Sequence, residues 1–510
     1  MLFNSYIFIF AFLPLAVAGF FALAHWLPRG VRRRAAIGWL VLASLAFYAW
    51  WNPPYVLLLL FSLAFNFAAG WAVARRHGDR RSGRSLRRLA LVLGIGVNLG
   101  LLGFFKYADF FIATMNAAIG ADFNFLNVIL PLAISFFTFQ QITYLVDSYR
   151  GDTVGYSFLD YALFVTFFPQ LIAGPIVHHK EMMPQFRDER TFRFDPLNVS
   201  VGLTLFTTGL FKKVVIADSL APYANQVFTA AENGVSPGFA EAWTAALVYA
   251  LQLYFDFSGY SDMALGVARM FGVRLPVNFD SPYKARNTGE FWRRWHVTLG
   301  RFLRDYVYIP MGGSRRGTLR RFANIYVVMI LCGFWHGAGW TFIVFGAVHA
   351  TFVAANHVLL MMKRHRGAPD DHGGRTAAAF AWCLTMGAFL LSIVLFRAES
   401  FGSALLLLRE MILPSAEPTA SPIGLDVAAG LTLALPLLVF CLLAPNSNAI
   451  MADYHRPIAW RPREEGGHEP AAPKWLRWRP TLPLAVITAA MFVVSVLLLS
   501  RANEFLYFQF

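Results

Sequence analysis

The feature that most constrains this chain is a succession of long apolar blocks separated by short clusters of arginine. Blocks of about 17 to 23 residues are long enough to cross a hydrocarbon core about 30 Å thick as helices rising 1.5 Å per residue. They lack the alternation of apolar and polar residues that a membrane-barrel strand needs, so helices span here. Composition agrees, since 57% of the 510 residues are hydrophobic and only 14% are charged, against roughly 25% charged in soluble domains. The first block, Ser5 to Leu27, contains Ala16-Val17-Ala18, which mimics a signal-peptide cleavage site. No Lys or Arg precedes Arg29, so the block reads as a retained first helix.

A formal net charge of +15 would suggest nucleic acid as a partner of a soluble protein. Here the cations lie between apolar blocks, where they mark the cytoplasmic side, so the charge reports topology and the expected anionic partners are membrane lipids, with no nucleic acid. Cys332, Cys383 and Cys441 lie inside apolar blocks without CxxC spacing, which supports neither a disulfide framework nor a metal site.

Arg29 and Arg32 to Arg34 follow the first helix, and seven arginines lie between Arg75 and Arg88. Both loops are therefore expected in the cytoplasm and the N-terminus outside. Between them, spans over Ile37 to Trp51 and Tyr55 to Ala74 meet at Asn52-Pro53-Pro54, where neither proline can continue a helix. Later spans are expected over Leu89 to Phe105, Phe125 to Val146, Phe158 to Ile176, Asn324 to Trp340, Thr341 to Met362, Ala377 to Phe396, Leu425 to Leu443 and Leu482 to Leu499. The basic loop from Arg456 to Arg479 is expected inside and the C-terminus outside. Pro169, Gly174 and Pro175 interrupt one apolar stretch, and Lys212 and Lys213 cut another at its end. That pattern fits broken or re-entrant helices lining a tunnel, or equally a Pro-kinked structural helix. From Arg274 to Arg321, eleven Lys and Arg face three acids with too few consecutive apolar residues to cross, so this segment is cytoplasmic or interfacial. The expected fold is an all-α polytopic membrane protein of roughly eleven or twelve transmembrane helices, with re-entrant or interfacial helices around a tunnel and no internal repeat. It forms a single domain over residues 1–510, with N-terminal helices in 1–100, a core in 101–362 and C-terminal helices in 363–510.

Ionisable residues in apolar surroundings are costly and mark candidate sites. His336, in Leu331-Cys332-Gly333-Phe334-Trp335-His336-Gly337-Ala338-Gly339-Trp340, lies about twelve residues into its expected span, with glycines on both sides that permit close approach of a backbone or ligand. It is the best-placed proton acceptor near mid-membrane, although a lone histidine on an apolar face is also commonly a satisfied core residue. His349 and His357, on the next span, read as structural. A second constellation runs from Glu290 to Leu299 and continues through Arg301 and Arg304. Read as one helix, it places Trp292, Trp295, His296 and Leu299 on one face and arginines on the other. It could be an interfacial amphipathic helix on anionic lipid. Alternatively, Arg293, Arg294, Arg301 and Arg304 offer a receptor for the phosphates of a CoA thioester. A third segment, Tyr254 to Met263, brings Asp256, Tyr260 and Asp262, either as polar tunnel lining or as structural partners of the arginines. The six-residue separation of the two carboxylates does not favour a paired acid/base mechanism.

These segments, in this order, resemble the membrane-bound O-acyltransferase family, in the branch that contains the alginate O-acetyltransferase membrane component. The resemblance runs through Ile134-Ser135-Phe136-Phe137-Thr138-Phe139-Gln140, Phe168-Pro169-Gln170-Leu171-Ile172-Ala173-Gly174-Pro175, the Asp256 to Asp262 segment, Phe291 to His296, Arg304-Asp305-Tyr306, Pro310-Met311-Gly312-Gly313 and Phe334-Trp335-His336-Gly337. Phe334 stands where leucine is commoner, and Phe345-Gly346-Ala347-Val348-His349-Ala350 replaces a typical Trp-Gly-x-x-His-Gly. The resemblance implies catalytic roles for His336 and, as the family's second polar position, His296, with Trp335 among the residues lining the donor-binding tunnel. It also implies a bacterial inner-membrane enzyme with no bound cofactor, which takes acetyl groups from a cytoplasmic donor, acetyl-CoA, and delivers them to an exported polysaccharide or a periplasmic acetyltransferase partner. The alternatives are D-alanyl transfer to teichoic acids, acyl transfer to lipids, and a non-enzymatic transporter or flippase, for which internal repeats would be expected.

Overall fold

The computed structural model describes residues 1–74, 81–153, 155–365, 374–413, 423–455, 458, 470–501 and 506. Among these, helices account for nearly all regular structure, and a lone bridge between Pro276 and Ile458 is the one β pairing. In chain order the helices that matter here are α1 (Phe8–Trp26), α2 (Arg29–Ala49), α3 (Tyr55–Ala74), α4 (Ser85–Ile119), α5 (Ile134–Arg150), α6 (Phe158–Thr166), α7 (His179–Arg187), α8 (Pro196–Glu232) and α9 (Phe239–Met270). They continue as α10 (Thr288–Arg294), α11 (Val297–Leu303), α12 (Thr318–His336), α13 (Trp340–His365), α14 (Gly374–Arg397), α15 (Phe401–Ile412), α16 (Val427–Leu443) and α17 (Leu482–Leu498). Among the described residues, α1, α3, α4, α8, α13 and α14 are long and apolar enough to cross a membrane unaided, and α16 and α17 are shorter apolar helices.

The core forms around α9, whose residues from Ala242 to Met270 are almost all buried. At 1.5 Å per residue this helix is about 48 Å long, and it carries Asp256, Asp262 and Arg269, which are costly against lipid and favour an interior position. It lies antiparallel against α8 with unusually close backbones. A methyl group on Gly266 would meet Gly202 O and Phe206 N at 2.5 Å, and Gly259 faces Gly209 in the same way about two helical turns along. Without side chains the two helices reach backbone contact, the kind of packing that replaces the hydrophobic effect inside a bilayer.

The structure corrects several expected spans. Residues 120–133 contain no helix and α5 starts only at Ile134, so no helix covers Phe125 to Val146 as a unit. The stretch Phe158 to Ile176 stops being helical after Thr166, because Phe167 turns out of the helical region before Pro169 and only the four-residue turn Phe168–Leu171 follows. Lys212 and Lys213 do not end their helix. They open a π-helical turn, Lys212–Ala217, inside the continuous α8, where Lys212 pairs with Asp262 at 2.6 Å and Lys213 with Asp218 and Asp256 at 2.7 Å each. Buried cations persist in a helix when carboxylates of neighbouring turns meet them. The Asn52-Pro53-Pro54 turn between α2 and α3 is found as expected, and residues 274–317 hold only short helices. Arg75, Arg76, Arg80, Arg366, most of the loop over 456–469 and the C-terminal end lie outside the described residues.

Candidate active site

The basic segment does not form the single amphipathic helix read from its spacing. It breaks at His296, whose backbone is left-handed at φ 45° and ψ 53°, so α10 and α11 are separate seven-residue helices. Hydrogen bonds to a neighbouring strand of chain hold the break open. Asp280 N–H donates to Arg294 O at 3.0 Å, Val297 N–H to Asn278 O at 2.9 Å, and Thr298 Oγ1 to Asn278 Oδ1 at 2.6 Å. A non-glycine residue in this conformation costs roughly 1 kcal/mol and persists where surroundings over-determine it. The result is that the His296 ring is driven inward, 1% exposed, against Phe257 at 4.9 Å and Trp335 at 6.0 Å between ring centroids.

His336 reaches the same place from another direction. It is the last residue of α12 rather than a mid-helix residue, because Gly337 leaves the helix in an extended conformation. A side chain at 337 would collide with the Phe342 ring, and one at Gly333 would overlap Phe342 O. Glycine at both positions therefore lets α12 and α13 fold into a tight hairpin that presents His336 at its tip. The imidazole lies 6.5 Å from that of His296 and 5.2 Å from Phe396, ring to ring, and is 5% exposed. Residues 40 positions apart thus form a buried histidine pair.

Two separate spaces are lined by the consecutive residues Trp335 and His336. His336 lines a chamber of about 20 Å³ walled by Phe257, Trp292, Trp295, Phe345 and Phe396, little more than the room one water needs. Its neighbour Trp335 lines a much larger vestibule of about 500 Å³, together with Trp50 and Trp51 of the α2–α3 turn, Lys106, Ser135 and Phe136. Trp335 is fixed by a ladder of stacked rings: Phe139 at 5.5 Å, then Phe302 at 4.1 Å, Tyr306 at 5.4 Å and His178 at 5.6 Å.

The remaining expected site residues divide. Trp292 and Trp295 wall the chamber, and Trp292 Nε1 donates to His349 Nδ1 at 3.2 Å, so His349 serves as a support, held on its other side by Ser392 at 2.9 Å. Arg294 is buried between Glu290 at 2.9 Å and Asp280 O at 3.0 Å. Burial opposes the Glu290 charge, but the Arg286 amide and the Arg294 guanidinium hold its carboxyl below the ordinary glutamate range. Arg301 is clamped to Glu181 with a 2.9 Å contact, whereas Arg293 is exposed and Arg304 pairs, among the described residues, with adjacent Asp305 at 2.7 Å. Asp256 and Asp262 neutralise lysines of α8, not arginines, and buried Tyr260 stacks on Phe3 at 4.9 Å. On the same helix it is Leu253 and Phe257 that face the chamber. The sequence reading missed Lys106 and Tyr107, although a lone lysine in an apolar run was a signal that could have found them.

The family model for the membrane-bound O-acyltransferase family matches residues 148–397, which include both histidines, the basic segment and the α12–α13 hairpin. The chain is 44% identical to the peptidoglycan O-acetyltransferase of Helicobacter pylori over 81% of its own length and 80% of that protein. It is 37% identical to the probable alginate O-acetylase of Pseudomonas aeruginosa over the full length of both. The teichoic acid D-alanyltransferase of Streptococcus thermophilus is 28% identical over 46% of this chain and 58% of that protein. Full-length similarity, a helical membrane fold and a histidine pair brought together at the tip of a hairpin lead to one conclusion: the chain belongs to the membrane-bound O-acyltransferase family and is a multi-pass membrane O-acyltransferase.

Proposed function

We propose that this enzyme transfers acetyl groups from cytoplasmic acetyl-CoA to a hydroxyl of an exported glycan, or to a periplasmic relay protein that passes them on, with His336 as general base. The observation that carries the reading is the place of His336, in the wall of a small buried chamber and next in sequence to Trp335, which lines a wide vestibule beside the α2–α3 turn. The relatives named as acetylating peptidoglycan and alginate support acetyl as the group and a glycan as the acceptor class. The shorter and weaker D-alanyltransferase match favours acetyl over D-alanyl.

A thioester is already activated, so the enzyme's work is alignment, proton removal and exclusion of water. The acceptor oxygen attacks the thioester carbonyl while the His336 imidazole takes its proton. The tetrahedral species expels the CoA thiolate, which recovers the proton as thiol, so one ester forms as one thioester breaks. His296, across the chamber wall, supports the same centre. Exposed Arg293 and Arg304 receive the donor's phosphates from the cytoplasmic face. The arginine clusters support a bacterial inner-membrane location with both termini outside.

The test uses membrane vesicles and labelled acetyl-CoA, with oligomannuronate and muropeptides as acceptor probes. Inverted vesicles, whose cytoplasmic face is outermost, should release CoA thiol and label acceptor trapped inside them, and right-side-out vesicles given acetyl-CoA from outside should not. His336→Ala should lower the rate on the order of 10²- to 10⁴-fold with normal membrane insertion. Turnover at the wild-type rate by that variant, or donor use from the outer face, would end this reading.

A further inference from the structure

Among the described residues lining the vestibule, Lys106 carries the one ionisable side chain. It lies inside the apolar helix α4, within the π-helical turn Gly103–Tyr107. Its Nζ donates to two successive carbonyls at the end of α12, Trp335 O at 2.6 Å and His336 O at 3.2 Å. The next residue continues the grip: Tyr107 Oη donates to Phe334 O at 3.0 Å, and its ring stacks on Phe334 at 4.1 Å. Two consecutive residues of one helix therefore hold three consecutive carbonyls of another, ending at His336.

These carbonyls belong to the last turn of α12, where no intrahelical donor remains. Within the hairpin, Gly337 N–H reaches Gly333 O only at 3.4 Å. A cation meeting the negative end of a helix dipole is favourable, yet an ammonium carried on an apolar membrane helix is costly. Water from the vestibule would satisfy carbonyls alone without that cost. What water cannot do is fix where the helix ends. Short π-helical turns recur at functional sites, and this one sets two adjacent residues against one helix terminus.

We propose that Lys106, assisted by Tyr107, is the positioning residue for His336: it clamps the end of α12 so that the imidazole stays on the chamber side while Trp335 faces the vestibule. The inference rests on the reading of His336 as the base. Because the clamp acts on geometry rather than donor binding, its loss falls on kcat.

The experiment measures CoA release by the purified full-length enzyme in detergent, with labelled acetyl-CoA and the same acceptor probes, across Lys106→Met, Lys106→Arg, Tyr107→Phe, His336→Ala and Lys106→Met/His336→Ala. A misplacement near 1 Å costs about 10²-fold, so Lys106→Met should lose kcat by about that factor with the KM for acetyl-CoA changed less than about threefold. Lys106→Arg, which keeps a donor and a charge, should recover at least about a tenth of the wild-type rate. In the His336→Ala background, Lys106→Met should cause no further loss. Wild-type kcat in Lys106→Met, a parallel rise in KM, or an additive loss in the double variant would overturn the clamp. Should Lys106→Met fail to yield folded enzyme, Tyr107→Phe decides, since it removes a single hydroxyl: several-fold lower kcat upholds the proposal and unchanged kcat overturns it. An active His336→Ala beside an inactive Lys106→Met would instead reject the base assignment.

Discussion

Gly333→Ala tests whether hairpin packing governs the position of His336. Gly333 sits one turn before His336 on α12, facing α13. A methyl group there would overlap Phe342 O and lie 3.0 Å from Gly346 N, against 3.4 Å for an ordinary contact. The Gly346 contact alone demands a few tenths of an ångström, and the deeper overlap with Phe342 brings the required parting of the helices to on the order of 1 Å. Packed backbone cannot absorb this as a flexible side chain would, so it reaches His336 through one helical turn. Overpacking of this kind costs roughly 1 to 3 kcal/mol of stability, and a 1 Å displacement of a reacting group costs about 10²-fold in rate. Acetyl transfer and thermal unfolding in detergent measure the two effects separately. Gly387→Ala is the control, because a methyl group at that α14 position meets nothing within 4 Å. It should leave activity unchanged and gain up to about 1 kcal/mol from helix propensity. If Gly333→Ala turns over like wild type, His336 is not placed by the hairpin contact and the geometric argument fails.

The arginines should separate by environment. Arg301→Gln leaves Glu181 without its guanidinium and should cost roughly 2 kcal/mol of stability, whereas Arg304→Gln should leave unfolding within about 0.5 kcal/mol of wild type and raise the KM for acetyl-CoA, the more so at low salt. Equal melting of both variants, or an unaltered donor KM in Arg304→Gln, would count against the division. At position 296, Gly adopts the left-handed backbone freely, so His296→Gly should be about 1 kcal/mol more stable than His296→Ala while both lose the same activity. Calorimetry decides the first point, and a more stable alanine variant would show that the bend at 296 is not strained.

Long, uninterrupted apolar blocks and positively charged clusters were enough to read a helical membrane protein, because the bilayer admits few solutions and each block can satisfy its own backbone. The motif from Phe334 to Gly337 likewise marked His336 as a candidate, since an ionisable side chain in an apolar span is costly. The sequence could not place His336 at a helix end, because its helical period continues through Gly337 and only the clash with Phe342 shows why the helix stops. The 3.6-residue pattern of 290–299 pointed to one helix for a similar reason: local spacing carries no record of Asn278 and Asp280, whose backbone groups force the left-handed bend at His296. Nor could spacing show which carboxylate meets which cation. Asp256 and Asp262 found lysines of α8, Glu290 and Glu181 took Arg294 and Arg301, and these choices left Arg293 and Arg304 facing solvent. Sequence alone thus determined the class of fold and marked a candidate residue, which depend on composition and on short-range period. The tertiary structure decided which histidines meet and what supports them, because those depend on contacts between segments that no local periodicity encodes.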